Sequence, residues 1–214
     1  DFSVMRLFIL ALILPLAVSM ATPAWAEDTA ADEERAKIFV TEMADEAITI
    51  LKTQSSREGR EAGFRKLLDE RANMRRIARF TLGPSARKIS DEDFAVYQNL
   101  LNELIIKVYA NRLGEYGNEQ LVVGRSQSKK KNFIVNSQIE FDNGRQPIGV
   151  DWWLYREKDG SFALFDVRVI GVWMAQEQRD SFASVLKTNR GDISALLGHI
   201  RKQIEAGGGA APNG

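Results

Sequence analysis

The sequence contains no cysteine and only one histidine, His199. Without cysteine the chain can form neither disulfides nor thiolate metal sites, and a cysteine nucleophile is excluded. A single histidine leaves no multi-histidine metal centre. We expect neither a metal nor a cofactor. An excess of charge is also lacking, because 29 Lys and Arg balance 29 Asp and Glu. This balance argues against nucleic acid as a partner.

The longest hydrophobic run lies near the start of the chain, where Arg6 precedes the apolar residues 7–18. Residues 24–26, Ala-Trp-Ala, then form a small-x-small cleavage pattern. A basic start, a short apolar stretch and such a pattern are typical of a secretory signal peptide, here residues 1–26. The alternative, a membrane anchor, needs about 20 apolar residues. The pattern therefore predicts export to the periplasm and cleavage near Ala26. Because the charge is balanced and the chain has neither a heptad seam nor a cysteine, we expect the product to be a monomer.

The segment from 27 to 115 has the hydrophobic period of helices. Ser90 and Asp93 form a pattern like a capping box, which predicts the start of the longest helix, and Gly114 marks its expected end. One face of this helix carries a continuous apolar stripe: Phe94, Tyr97, Leu101, Leu104, Ile105 and Val108. This stripe must be buried against another part of the protein.

Between residues 119 and 174 the period changes from that of helices to two. The turn signals Asn143-Gly144 and Asp159-Gly160 separate three predicted strands. These strands cover 133–141, 148–155 and 162–174, and a shorter fourth strand is expected at 121–124. Strands joined by short turns form an antiparallel sheet.

Two further helices are predicted within 175–206, with Asp192 as the N-cap of the second. The glycine-rich tail, 207–214, has nothing to bury and is expected to be disordered. Residues 27–206 therefore form one α+β domain with a curved antiparallel sheet of about four strands. We expect the helices to pack across one face of the sheet, as in the nuclear-transport-factor cone.

Motifs of catalytic sites are missing: there is no Gly-x-Ser-x-Gly, phosphate-binding glycine loop or His-Glu-x-x-His. Asp166 interrupts an apolar strand and has two possible roles. It could act as a general base in a polar pocket, or it could bond neighbouring backbone or an arginine and stabilise the end of the sheet. Because no second acid or histidine lies near it in sequence, we predict the second role and no catalytic residue.

Five short motifs follow one another in a recognisable order, at residues 73–83, 108–113, 165–172, 179–182 and 191–197. The first reads Asn-Met-Arg-Arg-Ile-Ala-Arg-Phe-Thr-Leu-Gly, and the third reads Phe-Asp-Val-Arg-Val-Ile-Gly-Val. Behind a signal peptide, this ordered set resembles the MlaC family, also called the toluene-tolerance family. The resemblance covers nearly the whole chain after the predicted signal peptide.

The resemblance implies a periplasmic carrier that holds phospholipid acyl chains in an apolar cavity between helices and sheet. It implies two partners between which the lipid is shuttled, an inner-membrane ABC transporter complex and an outer-membrane lipoprotein complex. The candidate lining residues come from the helical and strand stripes, and the longest helix is expected to cover the cavity. They are Ile77, Phe80, Tyr97, Leu101, Leu104, Ile105, Val108, Val135, Ile139, Val150, Trp152, Leu154, Val167, Val169 and Trp173.

Three other interpretations remain open at this point. A branch of the same family is associated with hopanoids, so the ligand could be a polycyclic lipid. A cone-shaped periplasmic enzyme would use Asp166. An adaptor would bind only proteins, through whichever of Trp152 and Trp153 is left exposed, since adjacent strand residues point to opposite faces.

Overall fold

The structure is a computed structural model that describes residues 24–112 and 119–207, with the side chains of 24–28 and 108–112 left out. The predicted signal peptide up to residue 23 and the predicted tail from residue 208 lie outside the described residues. The helices are α1 (Ala24–Thr53), α2 (Arg57–Arg71), α3 (Met74–Leu82), a 3₁₀ segment (Gly83–Arg87), α4 (Asp91–Arg112), α5 (Met174–Thr188) and α6 (Ile193–Glu205). The strands are β1 (Gln120–Lys129), β2 (Asn132–Glu140), β3 (Ile148–Arg156), β4 (Phe162–Val169) and β5 (Val172–Trp173).

Local signals in the sequence explain where helices begin. The hydroxyl of Ser90 accepts a hydrogen bond from the backbone N–H of Asp93 (3.0 Å) and donates one to the Asp93 carboxylate (2.9 Å). Asp192 accepts from the N–H of Ser194 (2.9 Å), so it caps α6 as predicted. Each side chain satisfies a backbone donor that the first turn of a helix leaves free.

The five strands form one antiparallel sheet in the order β1-β2-β3-β4-β5, so neighbours in sequence are neighbours in space. This confirms the predicted α+β class with a curved antiparallel sheet. The predicted single strand 162–174 is wrong, because the chain turns back at Ile170 and Gly171 and α5 begins at Met174. Both turn residues have positive φ, 49° and 82°. Isoleucine rarely adopts this conformation, so the residue type at position 170 does not predict a turn.

The register of the strands sorts their side chains onto two faces. Val135 lies opposite Trp152, and Trp152 lies opposite Val167, so the three side chains share one face. We name this surface the α1 face, because α1 packs against it. Trp153 and Trp173 lie on the opposite face, which we name the α5 face, with their ring centroids 5.7 Å apart.

A bulge in β4 brings a second helical layer to the sheet. Trp153 pairs with Asp166 and Leu154 with Leu164, so Phe165 is an extra residue in its strand. Phe165 packs among residues of α3 to α6. The expectation of helices on one face is therefore incomplete, because α1 and α2 cover one face while α3 and α5 reach the other face at β4.

The apolar side chains form two separate clusters. The helical core joins α3, α4, α5 and α6, with fully buried centres at Tyr97, Phe182 and Ile200. The sheet core joins α1 and α2 to the α1 face, with fully buried centres at Val40 and Leu154. A structure with two cores leaves two candidate places for an apolar ligand.

Candidate functional site

The structure places seven of the candidate residues together on the α1 face of the sheet. Cross-strand pairs connect them, since Val135 opposes Trp152, Trp152 opposes Val167, and Val150 opposes Val169. The seven form one continuous apolar surface: Val135, Ile139, Val150, Trp152, Leu154, Val167 and Val169.

Burial of this surface changes along the strands. Val135 and Leu154 have no exposed surface at all. Ile139, Val167 and Val169 are only partly buried, and so is Trp152. Partly buried apolar side chains keep water-exposed area that another apolar group can cover. Val150, which lies opposite Val169, is buried, so buried and partly buried positions lie side by side on the α1 face.

Helices α1 and α2 form the cover over this face. Ala36, Val40 and Met43 of α1 are buried against the sheet, together with Phe64 and Leu67 of α2. Further apolar side chains of α1 are only partly buried beside them: Phe39, Ala47, Ile50 and Leu51. Both the sheet and the helices that cover it thus have apolar surface that is only partly buried.

Polar contacts hold the third turn of α1 to the sheet. The Glu33 carboxylate accepts hydrogen bonds from the N–H (2.9 Å) and the hydroxyl (2.7 Å) of Ser128. Asp32, on the preceding position, is ion-paired with Arg156 of β3. These contacts fix one end of the cover to the sheet by charged groups.

Similar contacts connect α2 to its neighbours. Arg71 of α2 is paired with Glu46 of α1. Glu61 of α2 accepts from Lys107 of α4 (2.7 Å) and from Arg57 (3.0 Å). Burial acts to raise the pKa of Glu61, but these hydrogen bonds lower it below its usual range. The cover is therefore held by ion pairs at its edges and by apolar contacts in its middle.

Two serines place polar atoms inside the apolar layer. Ser137 donates to the carbonyl of Val150 (2.8 Å) and accepts from the indole N–H of Trp152 (2.9 Å). The buried hydroxyl of Ser126, opposite Val135 on β1, has no hydrogen-bond partner among the described residues. A buried hydroxyl without a partner is costly, so Ser126 is a candidate to bond a polar atom of a ligand. Sequence patterns gave no signal for it.

The helical candidates lie elsewhere, in the helical core. Among them, Tyr97 is fully buried, and its hydroxyl lies 2.6 Å from that of Thr81. Burial raises the pKa of Tyr97, and the hydrogen bond to Thr81 opposes this only in part. The candidates in this core are Ile77, Phe80, Tyr97, Leu101, Leu104 and Ile105. They are packed by other helices and are not brought together with the seven sheet residues.

The predicted stripe lies on α4, which has 22 residues, whereas α1 has 30, so the prediction that it lies on the longest helix is wrong. Two further details of α4 differ from the predicted stripe. Ile106 is fully buried, whereas its predicted neighbour Ile105 is only partly buried. Helix α4 packs mainly against α2, α3 and α6, so α1 and α2 cover the sheet in its place. The side chain of Val108 lies outside the described residues.

Trp173 is separated from the other sheet candidates because it lies on the α5 face. It belongs to a series of edge-to-face rings in which Phe80, Phe165, Trp153 and Trp173 follow one another. Successive centroids are 5.1, 4.9 and 5.7 Å apart. Such pairs stabilise the contact between α3 and the sheet.

Asp166 has the structural role that the sequence favoured. Its Oδ1 accepts hydrogen bonds from the backbone N–H groups of Val167 (2.8 Å) and Ala175 (2.7 Å). Because Ala175 lies in the first turn of α5, this carboxylate caps that helix from the sheet. Burial raises the pKa of Asp166, and the backbone hydrogen bonds counteract the rise.

Within the described segments, no three His, Asp or Glu side chains come together in a way that could hold a metal ion. Among the same residues, no helix combines the length and the apolar composition needed to cross a bilayer.

Comparison with known proteins identifies the family. The fold is similar to the solved structure of a phospholipid-binding protein from Ralstonia solanacearum in complex with a phospholipid, with a TM-score of 0.70. The two sequences are 20% identical over 80% of this chain and 97% of that chain, which establishes the shared fold. A search of curated proteins gives no match. The family model for the MlaC protein matches residues 41–202. The chain therefore belongs to the MlaC family.

Proposed function

We propose that this protein binds the acyl chains of a phospholipid between the α1 face of its sheet and the helices α1 and α2. The observation that carries the proposal is the incomplete burial of Ile139, Trp152, Val167 and Val169 on one continuous apolar surface. Membership in the MlaC family and a fold shared with a phospholipid-bound protein support phospholipid as the ligand class.

The physical requirement for such a protein follows from the cost of exposing a lipid to water. Each methylene group of an acyl chain costs about 0.8 kcal/mol when it is transferred into water, so a two-chain lipid hardly leaves a bilayer unaided. Transfer from a bilayer to an apolar protein layer exchanges one apolar medium for another and is nearly neutral. Binding therefore needs apolar area and a cover that can adjust, and no nucleophile or metal.

The contacts at the cover are suited to this adjustment. Its edges are held by ion pairs such as Arg71 with Glu46, while its apolar residues Phe39 and Ile50 are only partly buried. Acyl chains that enter beside them would complete their burial and gain hydrophobic stabilisation. The unpartnered hydroxyl of Ser126 would then bond a polar atom near the ester groups of the lipid.

The proposal extends to the cellular role implied by the family resemblance. The protein would be exported to the periplasm by its signal peptide and would carry lipid, as a monomer, between an outer-membrane lipoprotein complex and an inner-membrane ABC transporter complex. Sequencing the N-terminus of protein from the periplasmic fraction tests the export step. The expected first residue is Glu27, and recovery of earlier residues would contradict cleavage near Ala26.

Native mass spectrometry of lipid-exposed protein, combined with one matched pair of variants, tests the binding site. Val167→Trp adds volume to the α1 face and should lower phospholipid occupancy with little loss of stability. Val122→Trp makes the same change at an exposed valine opposite Gln138 and should leave occupancy unchanged. Equal occupancy in both variants would place the lipid elsewhere, and lipid-free wild-type protein would refute the function. The bound mass also distinguishes phospholipid from a polycyclic lipid.

A further inference from the structure

One segment of this neutral protein has a strongly uneven charge. Residues 71–90 contain five arginines and one lysine but no aspartate or glutamate. Some of these cations have acidic partners elsewhere, since Arg71 pairs with Glu46 and Arg76 lies 3.7 Å from Glu157.

Besides Arg75, which stacks on Phe94, three arginines of α3, the 3₁₀ segment and α5 lack an acidic partner among the described residues. Within the described residues, Arg79 of α3, Arg87 of the 3₁₀ segment and Arg179 of α5 form no ion pair and donate no side-chain hydrogen bond. Arg79 and Arg87 are exposed and Arg179 is partly buried. Their like charges repel one another, which makes their meeting in one place unfavourable without an anion.

These three side chains nevertheless line the same cleft. It has a volume of about 250 Å³ and is lined by Arg79, Phe80, Gly83, Pro84, Arg87 and Arg179. Gly83 has a φ of +57°, a conformation that favours glycine, and a Cβ there would only make van der Waals contact with Arg179, 3.4 Å from its Nε.

Aromatic rings hold two of the guanidinium groups in place. The guanidinium carbon of Arg179 lies 4.9 Å from the ring centroid of Phe80, and that of Arg79 lies 4.9 Å from the ring of Phe94. Stacking on a ring orients a guanidinium while leaving its N–H donors free to bind an anion. The arrangement is therefore preorganised for an external acceptor.

We propose that this cleft binds a phosphate group. Three guanidinium groups around one small cleft match an anion with several acceptor oxygens and more than one negative charge better than they match a single carboxylate. The phosphate can belong to free inorganic phosphate or to the headgroup of a membrane lipid, which share this chemistry. None of the lining residues belongs to the sheet core, so the site is separate from the proposed acyl-chain layer.

A titration of the wild-type protein with inorganic phosphate, followed by NMR of the arginine Nε–H resonances, tests this site. Saturable shifts are expected for Arg79, Arg87 and Arg179. Arg87→Gln should weaken phosphate binding about tenfold, which is the loss of one charge-assisted contact. Arg125→Gln removes the same charge from an exposed position on β1 and should leave the affinity unchanged. Absence of saturable shifts, or equal weakening by both variants, would overturn the proposal.

Vesicles distinguish the two sources of phosphate. In a sedimentation assay with phosphatidylglycerol vesicles at low salt, a headgroup site predicts wild-type binding that Arg87→Gln weakens and Arg125→Gln does not. Phosphate binding without any vesicle binding would assign the site to free phosphate. If vesicles bind equally to all three proteins and phosphate does not shift the arginines, the site is refuted. Co-purified lipid should be unchanged in Arg87→Gln, so this outcome is independent of the acyl-chain layer.

Discussion

The helical core and the sheet core of this protein both combine buried and partly buried side chains, but the aromatic centre of the first is fully buried, whereas part of the α1 face in the second is not. In the helical core, Tyr97 and Phe182 are fully buried and meet edge to face, with centroids 5.9 Å apart. On the α1 face, Trp152 and Val167 are only partly buried. A close-packed core gives stability, whereas partly covered apolar area is stabilised by a further apolar partner. We therefore expect substitutions at the centre of the helical core to affect stability most, and substitutions on the α1 face to affect the proposed lipid binding.

The largest effect is expected from a truncation in the helical core. Phe182→Ala removes a ring with no exposed surface and leaves a cavity, so the free energy of unfolding should fall by about 3–5 kcal/mol. Val169→Ala on the α1 face should cost less than about 1.5 kcal/mol, because Val169 is only partly buried and loses fewer contacts. Urea denaturation of lipid-free protein measures both. Similar losses in the two variants would contradict the difference between the cores.

The next effect comes from adding volume to the helical core. Leu104 is buried between α4 and its helical neighbours, so Leu104→Trp should overpack this core and cost about 1–3 kcal/mol. Lipid occupancy of the folded protein should stay at the wild-type level, because the α1 face is unchanged. Denaturation and native mass spectrometry are the two measurements. Loss of lipid without loss of stability would mean that acyl chains reach the helical core.

A third prediction concerns the contact between the two regions, where Asp166 caps α5. Asp166→Ala leaves the N–H groups of Val167 and Ala175 without this acceptor and should cost about 1–3 kcal/mol. Asp166→Asn keeps an oxygen acceptor and should cost less. The pKa of Asp166 is raised in the folded state, so the folded protein holds this proton more tightly than the unfolded chain does. The stabilisation of the folded state that results from this tighter proton binding is therefore present at low pH. It is lost as the pH rises above the ordinary aspartate pKa of 3.8.

The Asp166→Asn variant has no titrating group at this position, so it provides the reference for the pH dependence of stability. The stability of the wild type minus that of Asp166→Asn should decline as the pH is raised from about 3 to 7. Urea denaturation at several pH values measures this difference. A difference that increases with pH would show that the hydrogen bonds to the ionised carboxylate outweigh its burial.

The smallest effect is expected at the turn between β4 and β5. Ile170 is 76% exposed and has a φ of 49°, a conformation that a β-branched residue adopts with strain. Asn tolerates this conformation, so Ile170→Asn should stabilise the protein by about 1 kcal/mol. Ile38→Asn, at an exposed isoleucine of α1, should not stabilise. Thermal unfolding compares the two, and an unchanged or lower melting temperature for Ile170→Asn would contradict strain at this turn.

Local patterns predicted the elements that depend on local chemistry. Hydrogen bonds between Ser90 and Asp93 cap the start of α4, and Asp192 caps α6. Both caps are predictable because a capping side chain bonds backbone groups only two or three residues away. The break at Ile170 was missed, because the strand pairing around it forces a conformation that isoleucine does not itself prefer. The bulge at Phe165 was missed for a similar reason, since it arises from the register between β3 and β4.

The sequence by itself determined which strand residues share a face, because side chains alternate along a strand with a period of two. It thereby grouped Val135 with Ile139, and placed Trp152 and Trp153 on opposite sides. Only the tertiary structure decided that α1 and α2, rather than α4, cover the α1 face, and that Trp173 lies on the opposite α5 face. Periodicity shows that a helix has an apolar stripe but not which surface the stripe meets. That choice depends on packing between residues far apart in the chain, such as Val40 and Leu154, which belong to the same core.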